Sequence, residues 1–150
     1  MANLLIVYHS QSGASAALAH AACRGARDAG EAADARRAVD TGAVEVADAS
    51  GLLLVCAENS GRLAGGAKDF LDRIFYPLHG RAIVRPYALL VSAGNDGRGA
   101  VAEAQRIFRG VPFSEAMEPR ILLGPPGDDE LAAAAESGAA FATGLAMGIF

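Results

Sequence analysis

The feature that most narrows the fold is an alternation. Short, almost unbroken apolar runs ("LLIVY" at 4–8, "LLLVCA" at 52–57, "YALLVS" at 87–92 and "ILL" at 121–123) are separated by longer stretches with apolar residues at helical spacing. Runs without polar interruption suit strands covered on both faces, as in a parallel sheet with helices on each side. A weaker strand is expected near 33–39, where Arg36 and Arg37 suit a sheet edge. Helices are expected from Gly13 to about Gly30, and over 64–75, 99–108 and 128–147. The second should stop before Pro77, because a residue preceding proline avoids helical dihedrals. The mixed segment 41–50 has room for one helical turn carrying Val44 and Val46. The resulting order, βαβ(α)βαβαβα, predicts a single α/β domain over residues 1–150, a three-layer sandwich around a five-stranded parallel sheet.

Composition narrows the function class. The net charge is −4 and there is no basic block, which argues against a nucleic-acid partner. Lys68 is the only lysine. Cys23 and Cys56 make no disulfide framework in a chain of 150 residues, and two buried thiols in a reducing cytoplasm are expected. The start "MANLLIVYHS" lacks a basic segment and a long apolar run, so no signal peptide and no membrane association are expected. The tail "SGAAFATGLAMGIF" is too short to span a bilayer and reads as a buried or partner-facing helix.

Ligands of open parallel sheets bind beyond the carboxyl ends of the strands, near a switch in strand order. The loops there read "HSQSGAS", "ENSGRLAGG" and "AGNDGRG". All are polar, contain glycine and follow an apolar strand. In the first, Ser10, Ser12 and Ser15 offer hydroxyls, Gly13 permits close backbone approach, and the following helix favours an anion at its N-terminus. No lysine or arginine falls between His9 and His20, which opposes a Walker P-loop, and "HSQSGASAA" does not fit the dinucleotide fingerprint G-x-G-x-x-G. Taken alone, the stretch suits an N-cap serine in an ordinary turn as well as it suits an anion cradle.

Three motifs in sequence carry a resemblance. "SQSGAS" resembles the flavodoxin phosphate loop, Ser/Thr-x-Ser/Thr-Gly-x-Thr. "AENSGRLAGGAKDFLDR" resembles the flavin-ring loop and following helix of flavodoxin-like FMN proteins, and "SAGNDGRGA" is similar to their third flavin-contacting loop. The resemblance covers nearly the whole chain, in the short-chain form, because nothing large interrupts "RILLGPPGDDE". It implies a flavodoxin-like fold with strand order 2-1-3-4-5 and FMN as cofactor. The phosphate would lie on Ser10, Gln11, Ser12, Gly13, Ala14 and Ser15. The ring would lie between Glu58, Asn59, Ser60, Gly61, Arg62 and Leu63 on one side and Ala93, Gly94, Asn95, Asp96, Gly97 and Arg98 on the other. Gly61 is the expected neighbour of flavin N5, where a glycine peptide can reorient.

Departures from the pattern refine that expectation. Ala14 stands where asparagine is frequent, Ser15 where threonine is usual, and Cys56-Ala57 where Thr-Pro is common. Neither ring loop contains an aromatic residue. Aromatic stacking typically adds ~0.5–1.5 kcal/mol, so weaker FMN binding and a more open ring face are expected. An open face suits hydride transfer, in which a nicotinamide lies against the ring. The expected function is an NAD(P)H-dependent flavin or quinone reductase, with NAD(P)H as electron donor and no catalytic side chain required for hydride transfer. The alternatives are a flavodoxin-like electron carrier or a member that has lost FMN. The expected partners are a small-molecule acceptor or a redox protein, and a homodimer or homotetramer is expected.

Other residues invite less specific readings. His9 suits a phosphate donor and a strand end about equally, and His79 suits a solvated loop better than the lining of a substrate entrance. Arg62 and Arg98 are nicotinamide-phosphate attractors or solvated charges. Lys68–Asp72 and Asp69–Arg73 have the i,i+4 spacing of helix-surface ion pairs. Phe75, Tyr76 and Tyr87 are expected in the core or an interface. A receiver domain would need an acidic pair after the first strand and an aspartate ending the third, and a cysteine phosphatase would need its thiolate in an anion loop. The chain has neither arrangement.

Overall fold

In the computed structural model, which describes residues 2–150, the apolar runs become strands β1 (Asn3–Tyr8), β3 (Gly51–Asn59), β5 (Pro86–Ala93) and β7 (Arg120–Leu123). The edge strand is β2 (Ala32–Arg37), and two short pieces are β4 (Arg62–Leu63) and β6 (Ser114–Glu115). The helices are α1 (Ala14–Asp28), α2 (Ala43–Asp48), α3 (Gly65–Gly80), α4 (Arg98–Gly110) and α5 (Asp128–Ala146). Parallel pairing runs β2-β1-β3-β5, and β6 and β7 both lie along the outer side of β5. This is the expected flavodoxin-like order with one difference: the last strand is in two pieces. β6 pairs with the start of β5 and β7 with its end, and after a last bond from the Ala116 N–H to the Tyr87 carbonyl the chain leaves the ladder over Met117–Pro119.

The central strand explains why both faces must be covered. Along β3, Leu52, Leu54 and Cys56 join the core under α2, α3 and α4, while Leu53 and Val55 join the core under α1 and α5. The side-chain period of two sends alternate residues to opposite faces, so an all-apolar strand builds two cores at once. Each fully buried leucine or phenylalanine contributes about 1.5–3 kcal/mol. α1 and α5 approach so closely that Gly25 lies against the Ala135 backbone and Gly138 against that of Ala22. Neither position has room for a Cβ.

One helix boundary differs from expectation. α3 runs through Tyr76 and Pro77 to Gly80. Its apolar stripe continues past the proline: Phe70, Leu71, Ile74 and Leu78 are all fully buried. Burial of Leu78 offsets the hydrogen bond that proline cannot donate. His79 therefore sits in the last turn of α3 rather than in a loop. Its Nδ1 lies 3.2 Å from the Val111 carbonyl oxygen. The Lys68–Asp72 and Asp69–Arg73 pairs form at 2.7 and 2.8 Å. Arg73 also donates to the Thr41 and Ala38 carbonyls, which fastens α3 to the segment before α2. Tyr87 is buried, Phe75 partly so, and Tyr76 is exposed. Both cysteines are buried and unpaired, and burial pushes the Cys56 thiol up to about 12. Among the described residues, no helix is long and apolar enough to cross a membrane.

Candidate functional site

The parallel arrangement brings the loops after β1, β3, β5 and β7 to one end of the sheet. The first of them builds itself. The Gly13 N–H donates to Ser10 Oγ at 3.1 Å and the Ala14 N–H to Ser12 Oγ at 3.4 Å. Each oxygen already accepts a bond, so its own hydroxyl hydrogen is free to donate outward. Gly13 has φ 98°, the left-handed conformation that glycine adopts without strain, and it opens α1. Ser15 follows in the first turn of α1, 1% exposed, and its Oγ has no hydrogen-bond partner. A buried hydroxyl left unpaired costs free energy unless a ligand completes it.

Helix N-termini at this end differ in charge. Glu45 accepts from the Gly42 N–H before α2, and Glu130 from the Gly127 N–H before α5. Glu58 reaches across from β3 to the start of α4. α3 has no acidic residue in its first turn but carries the His9 ring against Gly66 there, and α1 has none either. Its exposed N–H groups and dipole are left for an anion. The cavity there, about 590 Å³, is lined by Ser12, Gly13, Ala14, Ala17, Ser92, Ala93, Gly94, Gly124, Pro125 and Pro126, with no charged side chain. Ser92 belongs to the third motif but was not among the expected contact residues, and the Gly124–Pro126 turn lay outside all three motifs. That turn also follows a strand of the parallel sheet, so its place at the carboxyl end was the available signal.

The two ring loops are built on each other. β3 and β4 form a hairpin whose turn residues, Ser60 (φ 52°) and Gly61 (φ 77°), both have left-handed backbones. The hairpin tip lies on the start of α4: a Cβ on Gly99 would collide with the Gly61 carbonyl oxygen. Two carboxylates are exchanged across this contact. Glu58 accepts from the Gly97 and Ala100 N–H groups at 2.9 and 3.1 Å. In return Glu103, on α4, accepts from the Leu63 N–H at 3.1 Å and from Arg62 at 3.0 Å. Bonds of this charge-assisted kind are about twice as strong as neutral ones. Asn59 donates to Gln11 at 2.9 Å and so ties the hairpin to the first loop.

The expected site residues therefore divide by role. Ser60, Gly61, Gly94, Asn95 and Asp96 line a cleft of about 490 Å³ between hairpin and loop, together with Glu58 and Gly99. Leu63 turns into the core. Gly97 is the left-handed residue that opens α4. Arg62 and Arg98 are both paired, the latter to Asp96 at 2.7 Å, and the Arg98 guanidinium holds the Asp96 carboxyl below its ordinary range. His9 packs its ring against Gly66 in the first turn of α3. Glu103 was not anticipated. Its only sequence signal is an acid one helical turn beyond Gly99.

The cleft and the neutral cavity meet at Gly94. The residues present suit an FMN-sized group: a helix N-terminus without an acid beside an uncharged cavity for a phosphate, then a wide cleft for a flat ring, while Ser15 lies behind the cavity and does not line it. No described group of three or more His, Cys, Asp or Glu side chains is placed to hold a metal ion.

Comparison with known proteins gives a consistent result for the fold. No family model and no curated protein sequence matches the chain. Among solved structures, a flavodoxin from the domain Archaea is 18% identical, with TM-score 0.84, and the match covers 95% of this chain and 98% of that one. A flavodoxin WrbA-like protein from Agrobacterium tumefaciens is 14% identical, with TM-score 0.83, covering 98% of this chain and 99% of that one. The Flv1 flavodiiron core from Synechocystis sp. PCC6803 is 24% identical, with TM-score 0.79, and 98% of this chain matches 36% of that protein. The chain has the flavodoxin-like fold, over 95% to 98% of its length in these matches.

Proposed function

We propose that the chain binds FMN and acts as an NAD(P)H-dependent flavin or quinone reductase. One observation carries the cofactor assignment: the first turn of α1 has no acidic residue and opens on a cavity lined by Ser12, Gly13 and Ala14 without a charged side chain. Ser15 follows that lining in the chain, and its buried, unpaired hydroxyl donates to a phosphate there once the side chain turns toward the cavity. Ser10 and Ser12 donate from the rim, and the amides at the start of α1 complete the cradle without a cation. Each such bond to a charged group contributes about 1.5–3 kcal/mol. Gly94 stands where the phosphate cavity opens into the ring cleft. Bound FMN supplies a ring nitrogen, N5, that accepts hydride from a nicotinamide.

The protein orients the donor and leaves it room. The cleft walls are polar and free of aromatic side chains, so one ring face stays open to a second planar group. The Glu58 and Glu103 exchange fixes the distance between hairpin and loop. A second reading, an electron carrier, is supported by the end-to-end match with flavodoxins. The purified protein is expected to be yellow or to turn yellow on titration with FMN, and to bleach within seconds under anaerobic NADPH or NADH. Colour without bleaching selects the carrier. A protein that ignores added FMN rejects both readings.

A further inference from the structure

A second groove, about 650 Å³, runs between α3 and α4. It shares Gly61 and Gly99 with the ring cleft, so the two form one continuous depression. In a chain of net charge −4, its lining carries Arg62, Lys68 and Arg106 against the single acid Glu103. Glu103 is held by Arg62, and Lys68 by Asp72 at the surface. Arg106 makes no ion pair among the described residues. An exposed pair such as Lys68–Asp72 is weak enough for a phosphate to take over the lysine. Beyond the cations the lining turns apolar at Phe75 and Ile107. Gly110 lets that end close in: a Cβ there would sit 3.0 Å from the Phe75 ring.

We propose that this groove binds the adenosine diphosphate half of a pyridine nucleotide whose nicotinamide lies in the ring cleft. The proposal rests on the reductase reading. The order of features matches the order of groups in the coenzyme: open cleft, then cations, then an apolar pocket for adenine. Gly99 and Ile107 lie eight positions apart on α4, about 12 Å at 1.5 Å per residue, so the groove is long enough to set a cation site apart from an apolar pocket. Arg106 offers a planar fork to a phosphate, which is the geometry phosphate recognition favours.

ADP-ribose, which lacks the nicotinamide, tests the groove independently of hydride transfer. Calorimetric titration into the full-length protein, with and without FMN, is expected to show binding in both cases. Arg106→Glu should weaken it at least about tenfold, the loss of one charge-assisted contact, and Arg106→Lys should recover part of the loss. The NADPH KM should rise by a similar factor in Arg106→Glu, with kcat and FMN affinity unchanged. Ala102→Trp, which fills the groove from its exposed side, should reproduce the effect without a charge change. ADP that inhibits NADPH oxidation competitively assigns the site to the coenzyme; tight ADP binding without inhibition makes it a separate nucleotide site and overturns the proposal. Equal ADP-ribose affinity in wild type and Arg106→Glu also overturns it. If no nicotinamide coenzyme bleaches the loaded protein but ADP-ribose binding still depends on Arg106, the reductase reading fails while the groove stands as an adenine-nucleotide site.

Discussion

The phosphate loop and the ring loops reach their shapes by opposite routes. In the first, Ser10 and Ser12 bond to N–H groups three and two residues away. In the second, Glu58 and Glu103 hold groups 39 to 42 residues away. One loop is a local motif set on a strand end. The other two take shape only when hairpin and helix dock. The lesson is that the phosphate site should survive damage to the ring cleft, and the ring cleft should fail first when tertiary packing loosens.

Removing the carboxylate that spans the ring loops tests this most severely. Glu58→Ala leaves the Gly97 and Ala100 N–H groups without their acceptor and should destabilise the fold by about 3–5 kcal/mol in urea titration, from two charged hydrogen bonds. Ser10→Ala, which breaks a local bond at the surface, should cost no more than about 1 kcal/mol. Equal losses would end the distinction between the two routes.

Gly13→Asp reverses the roles. It places a carboxylate at the cradle and a non-glycine residue at φ 98°, which costs about 1–2 kcal/mol of fold stability. FMN affinity should fall at least about a hundredfold through charge repulsion and lost amide contacts, measured by visible titration. Unchanged affinity would falsify the phosphate assignment.

Ser15→Ala gives a smaller effect with opposite signs. FMN affinity should fall about tenfold as one charged hydrogen bond is lost. Without FMN, the variant should be at least as stable as wild type, because the unpaired buried hydroxyl is gone. A clear loss of stability in the FMN-free protein would mean that Ser15 is structural.

The smallest effect near neutral pH concerns the floor of the ring loops. Burial raises the Cys56 thiol to about 12, and Cys23 and Tyr87 are also shifted upward by burial. Above an ordinary thiol value of 9.0 the unfolded chain loses a proton that folded Cys56 keeps. Stability attributable to that group is thus full below pH 9 and declines from there toward pH 12, by up to about 1.4 kcal/mol per pH unit. Cys56→Ala should flatten the decline in urea midpoints measured from pH 8 to 11, and native Cys56 should resist thiol reagents until the chain unfolds.

The first loop was legible because its chemistry is contiguous. Serines, a glycine and a helix start fall within six residues, and a strand precedes them. The strands were legible because burial on both faces demands unbroken apolar runs. The end of α3 was not: the rule about residues before proline is local, and burial of Leu78 outweighed it. The split of the last strand between β6 and β7 was equally hidden, since both pieces owe their place to pairing with β5.

Ring-loop roles show the same limit. Glu58, Leu63 and Gly97 belong to one motif, yet one caps a helix from another loop, one fills the core and one turns the chain. The groove between α3 and α4 joins Lys68 and Phe75 to Arg106 and Ile107, residues no short motif contains. By itself the sequence determined the βα alternation, the two-sided core and the anion-ready first loop, because periodicity and turn chemistry act over a few residues. Only the tertiary structure decided which carboxylates serve as scaffold, which hydroxyl stays unpaired and where a second groove meets the first. Those outcomes depend on groups dozens of residues apart meeting where water is excluded.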